Sequence, residues 1–277
     1  MQQRSVLITG CSSGIGYDAA HGLKSRGWRV FASCRQEADC VRFRAEGFDS
    51  PRIDYTEPDS IAAGLTEVLE ATGGTLDALF NNGAHAIPGA LEDLPVEGLR
   101  ALFEANVFGW HDLTRKVIPV MRAQGHGRIV NHSSVLGLVV MPWRGAYNAT
   151  KHAVEGLTDT LRLEMRDTPI RVITLNTGPV TSKIRVNSIP HFEKWVDWEN
   201  SPRAPQYREK LLKRLYESRG KDMFELPPSA VTAKLVHALE SPRPKPRYYI
   251  TTATHLMGTA RRVLTTRAMD ALCARGG

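Results

Sequence analysis

The 277-residue sequence predicts an α/β fold, a doubly wound parallel sheet of about seven strands with helices on both faces. Three observations carry this. Short apolar runs alternate with helical patterns from Val6 to Leu175. The first run leads through a glycine-rich turn into a helix. No internal repeat or low-complexity segment interrupts the alternation. A chain of this length is routine for one α/β domain.

The first strand is Ser5-Val6-Leu7-Ile8, an apolar run of the kind that is buried on both faces of a parallel sheet. The turn is Thr9-Gly10-Cys11-Ser12-Ser13-Gly14-Ile15-Gly16, and Tyr17 to Leu23 reads as helix. Glycine lets such a turn take positive φ and lets backbone approach a pyrophosphate. The helix N-terminus offers unpaired N–H groups to phosphate. Strand, glycine turn and helix together are the Rossmann-type context of a dinucleotide site, against the plain reading of an ordinary turn. Further strands are expected at Trp28–Ser33, Arg52–Asp54, Ala78–Asn81, Arg128–His132 and Arg171–Leu175, with Arg247–Thr251 as a seventh. Between the fifth and sixth of these strands, Tyr147 and Lys151 lie four apart in an Ala-rich, Pro-free helical run, so they share one face. A phenol ionises near pH 10, and an ammonium one turn away favours the phenolate. The pair suits acid–base work on an alcohol or carbonyl.

The spacing T-G-x-x-x-G-x-G followed by Y-x-x-x-K resembles the short-chain dehydrogenase/reductase family, over about Val6 to Ser182. Asn81-Asn82-Gly83-Ala84 is similar to the family's N-N-A-G with its last two residues exchanged, and Ser134 precedes Tyr147 by thirteen residues, as the family's serine does. The resemblance implies a tetrad of Asn106, Ser134, Tyr147 and Lys151. In it Tyr147 moves the proton, Ser134 orients the substrate oxygen, Lys151 tunes Tyr147 and reaches the nicotinamide ribose, and Asn106 holds a water in a relay to Lys151. It also implies cofactor contacts at Gly10, Ser12, Ser13, Gly14, Ile15 and Gly16 in the turn, at Asn82 and Gly83, and at Gly178, Val180 and Ser182 after the sixth strand. Thr177 departs from the pattern, standing where the family usually has Pro. Ser133 is expected to point away from the site as alternate strand residues do, and His132 and His152 to be packing or surface residues.

Charge selects the cofactor. An NAD site places an acid at the end of the second strand, yet that place holds Ser33-Cys34 followed by Arg35, a phosphate partner. The resemblance there is to the NADP-preferring hydroxysteroid and retinol dehydrogenase branch, with Asp54 as the adenine contact, and NADP(H) is expected over NAD(H). The uncharged stretch from Val135 to Trp143 is expected to wall a pocket with Leu136, Val140 and Trp143, which suits an apolar ketone, aldehyde or alcohol. The expected function is an NADP(H)-dependent oxidoreductase. The alternatives are an NAD-linked alcohol dehydrogenase and a non-catalytic NADP(H)-binding regulator.

The net charge of +7 is spread without a nucleic-acid motif, so no nucleic-acid partner is expected. Basic residues do gather at Arg208, Lys210, Lys213, Arg214, Arg219 and Lys221. Cys11, Cys34, Cys40 and Cys273 lack paired spacing and read as free thiols of a cytoplasmic protein. The first residues lead straight into a strand, leaving no room for a signal peptide. No apolar run reaches the length of a membrane span, and the histidines show no metal spacing. Residues 1–252 are expected to form one domain. Its Pro-broken, irregular insertion at about 182–227 serves as a mobile lid, although Trp195 and Trp198 have a second reading as anchors of a fixed subdomain. Residues 253–277 form a helical extension whose stripe, Leu256, Ala260, Val263, Leu264, Ala268 and Leu272, is expected to be covered by the chain's own domain or by a second subunit. The competing cover is a membrane surface. A homodimer or homotetramer is the expected assembly.

Overall fold

In the computed structural model, residues 3–217, 220 and 222–274 are described. Arg219, Lys221 and residues 275–277 of the extension lie outside the described residues. Six short strands, β1 (Ser5–Ile8), β2 (Arg29–Ala32), β3 (Ala78–Asn81), β4 (Gly127–Ser134), β5 (Ile170–Thr177) and β6 (Arg247–Tyr249), pair in parallel in the order β2-β1-β3-β4-β5-β6. The chain leaves β1 toward β2 and returns on the other side of β1 as β3. The carboxyl ends of β1 and β3 therefore flank the switch point where this architecture binds ligands.

The strand expected at Arg52–Asp54 is reduced to two isolated parallel bridges, Phe31 with Asp49 and Cys34 with Arg52. Between them stands Pro51, which has no N–H to give the ladder. The sheet is thus one strand narrower than expected, with its architecture unchanged.

The helices in chain order are α1 (Gly14–Lys24), α2 (Glu37–Ala45), α3 (Pro58–Thr72), α4 (Val96–Phe103), α5 (Gly109–Gln124), α6 (Gly145–Glu164), α7 (Ile184–Trp195), α8 (Ala204–Gln206), α9 (Leu212–Tyr216), α10 (Ser229–Glu240), α11 (Thr252–Val263) and α12 (Thr266–Ala274). Side-chain alternation along the strands divides the core. Ile8, Val30, Phe80, Val130 and Leu175 bury against α1, α2 and α10. Leu7, Phe31, Leu79, Ile129 and Val172 bury against α3, α5 and α6.

The segment after β5 is helical, against the expectation of an irregular insertion. Prolines 190 and 205 sit inside or at the start of its helices. Phe192, Val196, Tyr207, Leu211 and Leu215 form a satellite core with Ile87, Leu102 and Ala146 of the body, and Trp195 and Trp198 pack onto it. Tyr207 is fully buried. Its hydroxyl donates to Asp93 at 2.7 Å and accepts from the Ala90 N–H at 2.9 Å. The segment leaves and rejoins the body at one neck, where Leu226 N donates to Pro179 O at 3.2 Å and Thr181 N to Leu226 O at 3.0 Å.

The extension docks with a different face from the one the stripe suggested. Met269 and Cys273 bury with Val135, Leu136 and Val139, joined by Met257 and Ala260. Leu256, Val263, Leu264 and Leu272 are exposed, as is Ala268. The chain's own domain covers Ala260 alone of the six, because the loop after β4 meets the helices one step around their axes. No helix among the described residues is long and apolar enough to cross a membrane.

Candidate active site

The glycine turn is shaped by the neighbouring strand end. Gly10 has φ +67, and a Cβ there would stand 2.4 Å from Gly83 Cα. A Cβ on Gly16 would meet Gly10 O at 2.3 Å. The Asn82 carboxamide fastens the turn, Nδ2 donating to Thr9 O at 2.9 Å and Gly10 O at 3.2 Å. Ser13 caps α1 without a side-chain bond to its first turn, so the N–H groups there remain to be paired. Ser182 lies against Gly14, the remaining gap to an added Cβ being 3.3 Å. Gly178 passes so close to Thr251 that a Cβ would be 2.1 Å from its hydroxyl. Val180 is held in the neck by Leu226. Backbone this close around a set of open helical N–H groups fits a dinucleotide pyrophosphate.

At the adenosine end the outcome is mixed. Arg35 is exposed and its guanidinium has no hydrogen bond or ion pair among the described residues. Its charge is felt by His85 and His191 across the cleft. Arg42 of α2 donates to Ser12 O at 2.8 Å, a second cation at the turn that the sequence reading passed over. Asp54 Oδ1 is occupied locally, accepting from Thr56 N at 2.9 Å and its hydroxyl at 2.8 Å.

Three members of the expected tetrad meet at the carboxyl end of β4. Ser134 ends the strand; its hydroxyl accepts from Leu136 N at 3.1 Å and lies close enough to the Tyr147 phenol to lower its pKa. Lys151, one turn after Tyr147, is 2% exposed. Its ammonium donates to His132 O at 2.8 Å and stands 4.5 Å over the Trp110 ring. Burial governs both groups. It pushes the Tyr147 phenol up to about 12, against the pull of Arg144 and Ser134. It pulls Lys151 down to about 7, with Glu155 opposing. The cation that lowers the Tyr147 pKa in this structure is Arg144, not Lys151.

Asn106 lies in a π-helical turn, Glu104–Phe108, between α4 and α5. Its carboxamide accepts from His85 N at 3.1 Å and donates to His85 O at 2.9 Å and to Thr150 Oγ1 at 3.3 Å. Both ends are thus engaged in fixing the loop after β3 rather than turned to Lys151. His85, held there, stacks on His191 of α7 with ring centroids 3.9 Å apart.

His132 is neither plain packing nor surface. Since Asn82 Nδ2 is committed to the turn, Oδ1 faces His132, whose Nδ1 donates to it at 2.8 Å. Nε2 then accepts from the Thr177 hydroxyl at 3.1 Å. The departure at Thr177 is thereby explained, because proline has no hydroxyl to satisfy this buried histidine. Ser133 points to the opposite face as expected, its hydroxyl buried without a partner among the described residues. His152 is exposed, with Nδ1 on Asn148 O at 2.9 Å.

The three expected pocket residues do not converge on one wall. Leu136 is buried against the C-terminal helices. Val140 is 51% exposed. Trp143, at φ +65, turns toward the satellite core and meets the Tyr207 ring edge-on at 4.9 Å. A run that loops over a helix pair cannot keep all its apolar side chains on one side. The residue after it, Arg144, was missed because the uncharged stretch was read only to Trp143. A cation ending an uncharged run beside Tyr147 was the available signal.

With this geometry in place, comparison with known proteins is informative. The model of the short chain dehydrogenase family matches residues 4–191. The chain is 37% identical over 270 residues to the uncharacterized oxidoreductase YbbO of Escherichia coli strain K12, covering 98% of this chain and 94% of that protein. It is 28% identical to the NADPH-dependent 3-dehydrocapnine reductase of Ornithobacterium rhinotracheale, over 96% of this chain and 95% of that one. A short chain dehydrogenase/reductase from Burkholderia phymatum, solved in complex with NAD, superposes with a TM-score of 0.79 at 27% identity, covering 99% and 96% of the two chains.

Proposed function

The chain belongs to the short-chain dehydrogenase/reductase family, an oxidoreductase acting on CH–OH and C=O groups, and from that premise we propose that it uses NADP(H) with carbonyl or alcohol substrates of largely apolar body. The observation that carries the chemistry is the placing of the Ser134 hydroxyl beside the Tyr147 phenol, one helical turn from the buried Lys151, at the carboxyl edge of the sheet. Gly10, Ser12, Ser13, Gly14, Ile15 and Gly16 would hold the pyrophosphate, Asn82 and Gly83 the adenosine side, and Gly178, Val180 and Ser182 the nicotinamide side. A bound nicotinamide supplies or accepts the hydride.

Tyr147 stays protonated across the neutral range because burial holds its pKa high. It is the proton donor to a carbonyl oxygen, and in the reverse direction the acceptor. Ser134 gives a second hydrogen bond to that oxygen and fixes its approach. Lys151 is poised near pH 7, so a small change in its surroundings sets its charge beside the phenol. Asn106, through the His85 backbone, keeps the loop after β3 in place.

The preference for NADP(H) is supported by the missing acid after β2 and by Arg35 and Arg42 there. NAD-linked oxidation is the second reading, favoured by the NAD complex of the Burkholderia relative. Four buried free thiols agree with a reducing, cytoplasmic setting. The exposed leucines of α11 and α12 are where a second subunit of a homodimer or homotetramer would sit. The test is consumption of NADPH and of NADH with a panel of ketones and aldehydes. Turnover with NADPH at lower cofactor concentration is the expected result. Binding without turnover on any carbonyl would mean a regulator, and equal use of both cofactors would reject the NADP(H) preference.

A further inference from the structure

We propose that Arg144 binds an anionic group carried by the substrate, so that this enzyme acts on carbonyl compounds with an acidic end rather than on wholly neutral ones. The inference rests on the reading of Tyr147 as the proton donor. It starts from a guanidinium with nothing to hold.

Arg144 precedes α6 and lies one helical turn before Tyr147. Among the described residues its side chain has no hydrogen bond, ion pair or ring contact; only its carbonyl is used, by Asn148 N at 2.8 Å. The other part-buried arginines of the body contrast with it. Arg128 donates to Ala238 O, and Arg247 is shared by Glu155, Asp159 and Asn176. Arg144 is half-buried, and the burial is close enough, with Arg214 nearby, to pull its pKa down to about 10. Enclosing a cation without a partner costs free energy, and a bound anion removes that cost. Such groups beside a cleft mark functional positions.

The surroundings fit the same class of ligand. Arg144 lines a hollow of about 120 Å³ between the start of α6 and the cover, with Trp143, Glu209, Lys210, Leu211 and Arg214. Arg214 is already paired with Asp222 at 3.8 Å. With Arg214 matched by Asp222, Arg144 and Lys210 stand against Glu209 alone, and the hollow keeps a net positive charge. Its remaining walls, Pro142, Trp143 and Leu211, are apolar. The guanidinium fork matches a carboxylate, and equally a phosphate or sulfonate, through two parallel hydrogen bonds. Neither the glycine turn nor Arg35 lines this hollow, so the phosphates of a dinucleotide are not taken as its partner. The substrate so described has an apolar body, a carbonyl at Tyr147 and an anion about one helical turn away.

The experiment uses straight-chain oxo acids of increasing carbonyl-to-carboxylate spacing, each with its methyl ester, on the full-length cofactor-loaded protein. Turnover and direct calorimetric binding are measured for the parent, Arg144→Leu and Arg144→Lys. At the best spacing the acid should exceed its ester by about ten- to a hundredfold in kcat/KM, chiefly through KM. Added salt should shrink that ratio. Arg144→Leu should abolish it, and Arg144→Lys should restore part. Acid and ester falling by the same factor in Arg144→Leu would mean a structural role and overturn the proposal. So would a parent with no acid preference at any spacing, a result that needs no variant to fold. Turnover of esters alone would leave the oxidoreductase reading standing and this one refuted. Arg144-dependent binding of the acid with no turnover would do the reverse.

Discussion

Tyr147 and Lys151 stand closer to neutrality than their pairing suggests, because both are desolvated and their charged forms are supported by Arg144 and Ser134 in one case and Glu155 in the other, not by each other. Two outcomes follow at the residue scale. Tyr147→Phe removes only the hydroxyl, so cofactor should bind nearly as before while turnover falls about 10²–10⁴-fold; near-normal kcat in this variant would sink the assignment. Lys151 is about 7 in the folded chain against an ordinary 10.5. Between those values the unfolded chain holds the proton and the folded one does not, so stability rises with pH from about 7 toward 10. Below pH 7 the burial cost is present in full. Lys151→Met should therefore unfold at higher temperature than the parent at pH 6, in the absence of cofactor, with the gap narrowing by pH 9.5; a gap that stays constant over this range would count against it. Arg35 is proposed as a phosphate partner from the absence of an acid beside it. NADPH should bind roughly ten- to a hundredfold tighter than NADH, one charge-assisted contact, and Arg35→Ala should erase most of that difference. Equal dissociation constants in the parent would dismiss it. Arg144, His85 and His132 were not legible as partners. Their roles depend on three or four chain segments meeting, which periodicity along one segment does not report.

At the scale of elements, local signals worked where one segment decides its own structure. The glycine turn, the helix bearing Tyr147 and the apolar strands are of that kind. Pro51 shows the limit, since one missing N–H outweighed an otherwise plausible strand. The cover shows another. Its prolines were read as breaks, yet Pro205 lies in the first turn of α8, where a missing N–H costs nothing. The aromatic residues there serve as anchors, the second of the two roles read from the sequence. Tyr207 is the strongest of them. Tyr207→Phe would leave the Asp93 carboxylate and the Ala90 N–H without this partner, and about 1–3 kcal/mol of docking should be lost. Hydrogen exchange in α7 and α9 should accelerate while α1 and the sheet stay slow. Unchanged exchange in the cover would show that the apolar contacts alone hold it.

For the molecule as a whole, the doubly wound parallel sheet followed from the alternation of strands and helices, whereas the outward face of α11 and α12 did not, because an apolar stripe states that something covers it but not what. The interior histidines contribute to the acid sensitivity of the fold. Burial drops both His85 and His132 to about 3, against an ordinary value near 6.5. Below that value the unfolded chain takes up protons that the folded chain refuses. Their contribution to stability is therefore complete above about pH 6.5 and declines as pH falls toward 3, by up to about 1.4 kcal/mol per pH unit for each fully coupled group. The chemical-denaturation midpoint should fall steadily from pH 6.5 to 4, and less steeply in His85→Asn; equal slopes would clear His85 of this part. The neck at Pro179, Thr181 and Leu226 has a consequence of another kind. Two strands of backbone in direct hydrogen-bond contact bound everything from α7 to α9, so the cover is an insert whose ends already touch. It should be exchangeable as a cassette for the corresponding stretch of a relative, provided the apolar contacts to Ile87, Leu102 and Ala146 are kept. Substrate range in this architecture can thus be rewritten by grafting, leaving Ser134, Tyr147 and Lys151 in place.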